Sequence, residues 1–151
     1  MAERKGAVRD TLGFIGVVLS LLFVGWEVRE NTKVARGQTR VELTALNNDF
    51  LGQITGDSGF SELWRRAWIV RDELSDADEF RVELMTIQLL RTLENVHLQF
   101  QEGLIDEDAL ISYGFLGFNE MYMSHPRFTQ FWEIRSVSFD PGFVDYLEGL
   151  R

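Results

Sequence analysis

The sequence predicts an all-α protein: an N-terminal transmembrane helix that continues into a compact helical bundle of about five helices. Three observations predict it. An uncharged apolar run, LGFIGVVLSLLFVGW, occupies residues 12–26 between a basic N-terminus and a polar segment. The 151-residue chain has only two prolines and no stretch that alternates polar with apolar residues in the manner of a strand. Apolar residues recur instead at three- and four-residue spacing along most of the chain. Residues 1–26 are read as a membrane anchor and residues 27–151 as an acidic helical domain, enough chain for one core.

At about 1.5 Å rise per residue, Thr11 to Trp26 covers roughly 24 Å, short of a hydrocarbon layer of about 30 Å. Extending the span through Val28 places Glu27 at the headgroups, where Trp26 is an ordinary interfacial residue and Arg29 can snorkel. Three other readings compete. A cleaved signal peptide lacks its small-x-small site, because Glu27, Val28, Arg29 and Glu30 follow the run. A buried helix of a soluble bundle stays open on length. An amphipathic surface helix needs a charged face, which this run does not have. Gly16 and Ser20 are spaced as small-xxx-small with Gly13 one turn earlier, a candidate face for close anchor packing, against the plainer reading that the glycines are tolerated in lipid. Basic residues flank the run, with Arg4, Lys5 and Arg9 before it and Arg29, Lys33, Arg36 and Arg40 after it. Together with the absence of cysteine they predict a single pass with a cytoplasmic C-terminal domain.

From Glu27 to about Thr55 the pattern continues the first helix, polar as far as Arg40 and then carrying Leu43, Leu46, Phe50 and Ile54 on one stripe. Gly56 to Gly59 is a turn in which Asp57 or Ser58 caps a helix through Trp64, Trp68 and Val70. Ser75, followed by Asp76 and Asp78, opens the central helix, from about Asp76 to Glu102. Its core stripe is Val82, Met85, Leu89, Leu93, Val96 and Phe100, widened by Phe80, Leu84, Ile87 and Leu90. Gly103 stops it. Asp106, Glu107 and Asp108 open a helix to about Met123, within which Gly114 and Gly117 suggest close packing. His125 with Pro126 starts another helix from Arg127 to about Val137, and Asp140 with Pro141 at the first helical position starts the last.

Beyond Glu27 there are 12 Arg plus Lys against 22 Asp plus Glu, a formal charge of −10 that makes nucleic acid a poor partner. No Gly-x-Ser-x-Gly elbow or phosphate loop is present, and cysteine nucleophiles are excluded. Glu94-Asn95-Val96-His97 has the Glu-x-x-His spacing of carboxylate-bridged metal bundles. Such sites need a second copy and two further carboxylates, and the other histidine, His125, stands beside a helix-starting proline. The expected arrangement is therefore Glu94 paired with an arginine such as Arg91 and His97 packed in the central helix, with no metal and no cofactor. Glu94, Asn95 and Gln99 form a candidate buried polar cluster. The aromatics Trp64, Trp68, Trp132, Phe115, Phe118, Phe128 and Phe131 read as core.

Three segments resemble a family of small bacterial proteins: SLLFVGWEVRENTKVAR (20–36), LENVHLQFQEGLIDED (93–108) and RFTQFWEIRSVSFDPGFVDYL (127–147). In that family an N-terminal anchor ends in a Gln/Glu-Ile-Arg-Gln-Asn-Thr-like sequence and leads into a helical domain. This chain departs from the pattern at Glu30, where Gln is expected, and at His97, where an aromatic is usual. The resemblance implies the architecture and a bacterial inner membrane; it implies no activity.

The functional expectation is a membrane-anchored interaction, scaffold or accessory protein, not an enzyme, whose partners are membrane lipid and a second copy of itself or another membrane protein. A small homo-oligomeric ion channel is the alternative, with Glu27, Arg29, Glu30 and Asn31 as the candidate juxtamembrane or vestibule residues. A sensor or enzyme built on a pocket near Glu94, Asn95, Gln99 and Trp64 is the third.

Overall fold

Side-chain caps start five of the helices among the described residues. The computed structural model describes residues 2–115 and 118–150, with side chains at 13–113, 118 and 121–150. Helix α1 runs Ala2–Gly56, and the Asp57 carboxylate then accepts from the Gly59 and Phe60 amides at 2.8 and 3.2 Å to start α2, Ser58–Arg65. A π-helical turn, Arg66–Val70, extends α2 until Arg71 stops it in the left-handed region at φ 64°. Ser75 Oγ accepts from the Asp78 amide at 3.2 Å and opens α3, Asp76–Gln101, which ends at Gly103 with φ 71°.

Asp106 caps α4, Glu107–Leu110, through the Ala109 amide at 2.9 Å. Two π-helical turns follow, Ile111–Phe115 and Asn119–Met123. His125 Nδ1 accepts from the Arg127 amide to open α5, Pro126–Arg135, a short 3₁₀ turn covers Ser136–Ser138, and Asp140 caps α6, Pro141–Gly149. Among the described residues there is no strand; the protein is all-α.

The chain divides into two units, Met1–Gln38 and Thr39–Arg151. In the first, every described side chain from Gly13 to Val34 is exposed. Local bonds follow the helix: Ser20 Oγ donates to the Gly16 carbonyl at 2.9 Å, Thr32 Oγ1 to the Val28 carbonyl at 2.9 Å, and Lys33 pairs with Glu30 at 3.3 Å. No helix among the described residues is long and apolar enough to cross a membrane.

In the second unit, α3 is the central element, burying Val82, Met85, Leu90, Leu93 and Val96 against α2, α5 and α6 residues such as Trp64, Phe128 and Phe143. The end of α1 contributes Thr39, Leu43 and Phe50. It is fastened by the Arg40–Asp106 pair at 3.2 Å and by the Tyr113 hydroxyl donating to the Arg40 carbonyl at 3.2 Å.

Three expectations are corrected. Leu46 is exposed, because at 100° per residue it falls at the edge of the face centred on Thr39, Leu43, Phe50 and Ile54. Phe80 and Leu84 do not widen the stripe of α3; they lie about 160° and 200° around from Val82 and face outward. The helix expected from Asp106 to Met123 is instead α4 followed by π turns, whose i→i+5 bonding adds a residue per turn and breaks the 3.6-residue register. The packing expected at Gly114 and Gly117 lies outside the described side chains, as does Phe115.

The contrast along α3 gives a direct check. Leu90 is 0% exposed and Leu84 is 51% exposed. Leu90→Ala should cost about 3 kcal/mol in denaturant unfolding, and Leu84→Ala should stay within about 0.5 kcal/mol of the parent. Equal losses at the two positions would contradict the assigned core face.

Candidate functional site

The residues singled out by sequence fall into three places. Gly13, Gly16 and Ser20 lie on α1, where a methyl added at either glycine meets nothing within 4 Å in the single chain. Glu27, Arg29, Glu30 and Asn31 are exposed on the same helix, and Glu30 is held by Lys33.

Glu94, in the middle of α3, is buried and makes two 2.6 Å hydrogen bonds: it accepts from Arg91 Nη1 and from the Asp140 amide. Arg91 also donates to the Ser138 carbonyl at 2.8 Å and lays its guanidinium 4.4 Å from the Phe139 ring centre. The pair therefore fastens α3 to the loop that begins α6. Asn95 and Gln99 share one 3.4 Å bond, and Trp64 packs elsewhere, against Phe50 and Trp68. Glu94 thus acts as a structural tie between α3 and the start of α6.

His97 is packed against Phe143 and Tyr146, with ring centres 5.9 and 4.9 Å away. Burial holds its pKa below the ordinary histidine value, and the Asp140 carboxylate offsets part of that shift. Among the described residues no group of three or more His, Asp or Glu side chains could hold a metal ion.

Sequence reasoning missed a cleft of about 940 Å³ between the 66–74 segment, the first half of α3 and α5. Trp68, Val82, Phe131 and Ile134 give it an apolar wall, and two ion pairs cross it: Arg127 with Glu79, and Arg135 with Glu83. Arg127 also donates to the Asp72 carbonyl at 3.1 Å, and Arg66 holds Asp72 at 3.3 Å. His125 lies at the Trp68 end, its ring centre 5.2 Å from the indole. Burial lowers its pKa first, and the positive charges of Arg71 and Arg127 lower it further. The one local signal was the His-Pro pair; the approach of Trp68 to His125 spans 57 residues of sequence and leaves no periodic trace.

No protein-family model, no curated protein and no solved structure matches this chain.

Two outcomes follow from this geometry. Glu94→Ala leaves the Asp140 amide and the Arg91 guanidinium without their acceptor and should cost about 2 kcal/mol by denaturant titration, with α6 losing amide-exchange protection first. A histidine whose folded pKa is depressed binds its proton more readily in the unfolded chain. Its contribution is therefore full above an unfolded pKa of about 6.5 and is lost as pH falls. Thermal midpoints should thus decline from pH 7 to pH 5, and His97→Phe, which keeps the ring contacts without titrating, should decline less. Identical declines would remove His97 from the account.

Proposed function

We propose that this protein is a membrane-anchored interaction or scaffold module, with a single N-terminal anchor and an acidic helical domain that associates with its own copies or with another membrane protein. One observation carries the reading: Phe14, Val17, Leu19, Leu21, Leu22, Phe23, Val24 and Trp26 are all exposed, and at 100° per residue they point in every direction around the helix. A helix docked on one protein surface buries one stripe. Lipid is the cover that reaches all sides at once.

The described apolar stretch, Gly13 to Trp26, covers about 21 Å. The proposed span therefore also uses Leu12, Thr11 and Val28, with Glu27 at headgroup level, as a hydrocarbon layer of about 30 Å requires. Insertion in a bacterial inner membrane, a cytoplasmic second unit, non-catalytic action and kinship with the small bacterial family belong to the same proposal. Self-association is the specific partner proposed. It is supported by the open space at Gly13 and Gly16 and by the exposed Val28, Val34 and Val41 further along the helix.

Fractionation is the decisive measurement. Full-length protein should stay in the membrane pellet after alkaline carbonate extraction, and deletion of residues 1–26 should move it to the soluble fraction. Full-length protein that is soluble without detergent would end the anchor reading. For assembly, Gly16→Leu should shorten the cross-linked ladder in intact membranes, since the added side chain meets nothing within its own chain. An unchanged ladder excludes that face as the contact.

A further inference from the structure

Three residues that line the cleft each carry a buried nitrogen donor with no hydrogen-bond partner among the described residues: Trp68 Nε1, His125 Nε2 and Arg127 Nε. Trp68 is 3% exposed and His125 is 4% exposed, and what little surface they keep belongs to residues lining the cleft. The tautomer of His125 follows from its other nitrogen. Nδ1 accepts from the Arg127 amide at 3.1 Å, which leaves the proton of the neutral ring on Nε2 and makes that atom a donor. An indole N–H and a guanidinium N–H can only donate. Three buried donors without an acceptor, on residues that line one cleft, are a costly arrangement, of a kind found where a ligand supplies the acceptors.

We infer that the cleft binds a small monocarboxylate with an apolar body, its carboxylate accepting from Trp68 Nε1, His125 Nε2 and Arg127 Nε. The positive charge at this end of the cleft comes from Arg71, which the ion pairs of the lining leave over. Arg71 lines this end, is exposed, and is held by its left-handed backbone at the turn that follows Trp68. Elsewhere the lining carries Asp72, Glu73, Glu79 and Glu83, of which Glu79 and Glu83 are neutralised by Arg127 and Arg135. One negative charge is accommodated beside Arg71; a second, as on phosphate, meets the carboxylates of the lining. Val82, Phe131 and Ile134 supply the wall on which an aromatic or short aliphatic body lies, and about 940 Å³ is ample for such a molecule. This site belongs to the second unit alone and stands whether or not the first helix enters a membrane.

The test uses the full chain in lipid nanodiscs, observed through its indole N–H signals, with the Trp68 signal assigned by its loss in Trp68→Phe. Phenylacetate should shift the Trp68 signal downfield and saturate. Phenylacetamide, of the same shape without the charge, should bind at least tenfold more weakly, and inorganic phosphate should bind more weakly than phenylacetate. Arg71→Asn keeps a residue at ease in the left-handed region and removes the charge; it should raise the phenylacetate dissociation constant at least threefold without moving the thermal midpoint. A Trp68 signal that does not saturate overturns the site. Equal binding of phenylacetamide overturns the carboxylate assignment, phosphate binding as tightly overturns the monoanion, and an unchanged constant in Arg71→Asn overturns the placement of the charge. Should Trp68→Phe not fold, the Arg71→Asn comparison still decides on any indole signal that titrates.

Discussion

The second unit is organised around a continuous chain of ring contacts. Phe50 of α1 meets Trp64 of α2 at 5.7 Å, Trp64 meets Trp68 at 5.7 Å, and Trp68 meets Tyr122 at 5.0 Å. From Tyr122 the chain passes through Phe118 to Phe128 of α5, at 5.2 and 5.3 Å, and then to Trp132 at 5.6 Å. Phe139, Phe143 of α6 and His97 of α3 close it, at 5.6, 6.0 and 5.9 Å. Each such pair is worth roughly 0.5–1.5 kcal/mol beyond the area it buries. The larger consequence is geometric: large rigid rings contributed by five helices fix the separations of those helices, and the aliphatic residues of α3 fill what remains.

Polar groups respect this arrangement by sitting at its margins. Trp64 and Trp132 are inside, yet each indole nitrogen reaches a partner, the Tyr122 hydroxyl at 3.2 Å and Glu148 at 3.3 Å. Glu94 does the same at the other end, trading a position among apolar neighbours for two short bonds that set where α6 begins. Among the core indoles Trp68 is the exception. It belongs to the same chain of rings but leaves its donor unsatisfied, and it does so beside His125 and Arg127, which share the condition. In a core that meets its other indole donors, this concentration in one cleft is the departure from local consistency that accompanies a binding site.

Most element boundaries were readable in the sequence because they are made by single residues acting within four positions. Asp57, Ser75, Asp106 and Asp140 cap the helices they precede, and Gly103 adopts the positive φ that its place after α3 requires. The Glu94–Arg91 pair was readable for the same reason, being three residues apart on one helix. Features that depend on distant partners were not. Leu46, Phe80 and Leu84 look like core residues by type, and only the packed neighbours decide which side of the helix is inside. The π turns leave no compositional mark. Arg71 in the left-handed region is a position where sequence favours glycine or asparagine, so the end of the π turn after Trp68, and with it the cleft, was hidden.

The first unit obeys a different rule. No described side chain from Gly13 to Val34 is covered, so its helix is supported only by backbone bonds and by local pairs such as Glu30 with Lys33, worth a few tenths of a kcal/mol each. A run in which four Leu are mixed with Val, Ile, Phe and three Gly has only modest intrinsic helicity, and isolated helices are marginal in water even for favourable sequences. The same residues are well suited to an apolar medium, where an unpaired backbone amide costs several kcal/mol and the helix becomes the only way to satisfy it. A helix that water supports poorly and hydrocarbon would enforce is the physical ground of the proposal that this helix lies in lipid, and under that proposal the run can be apolar on every side without a core contact.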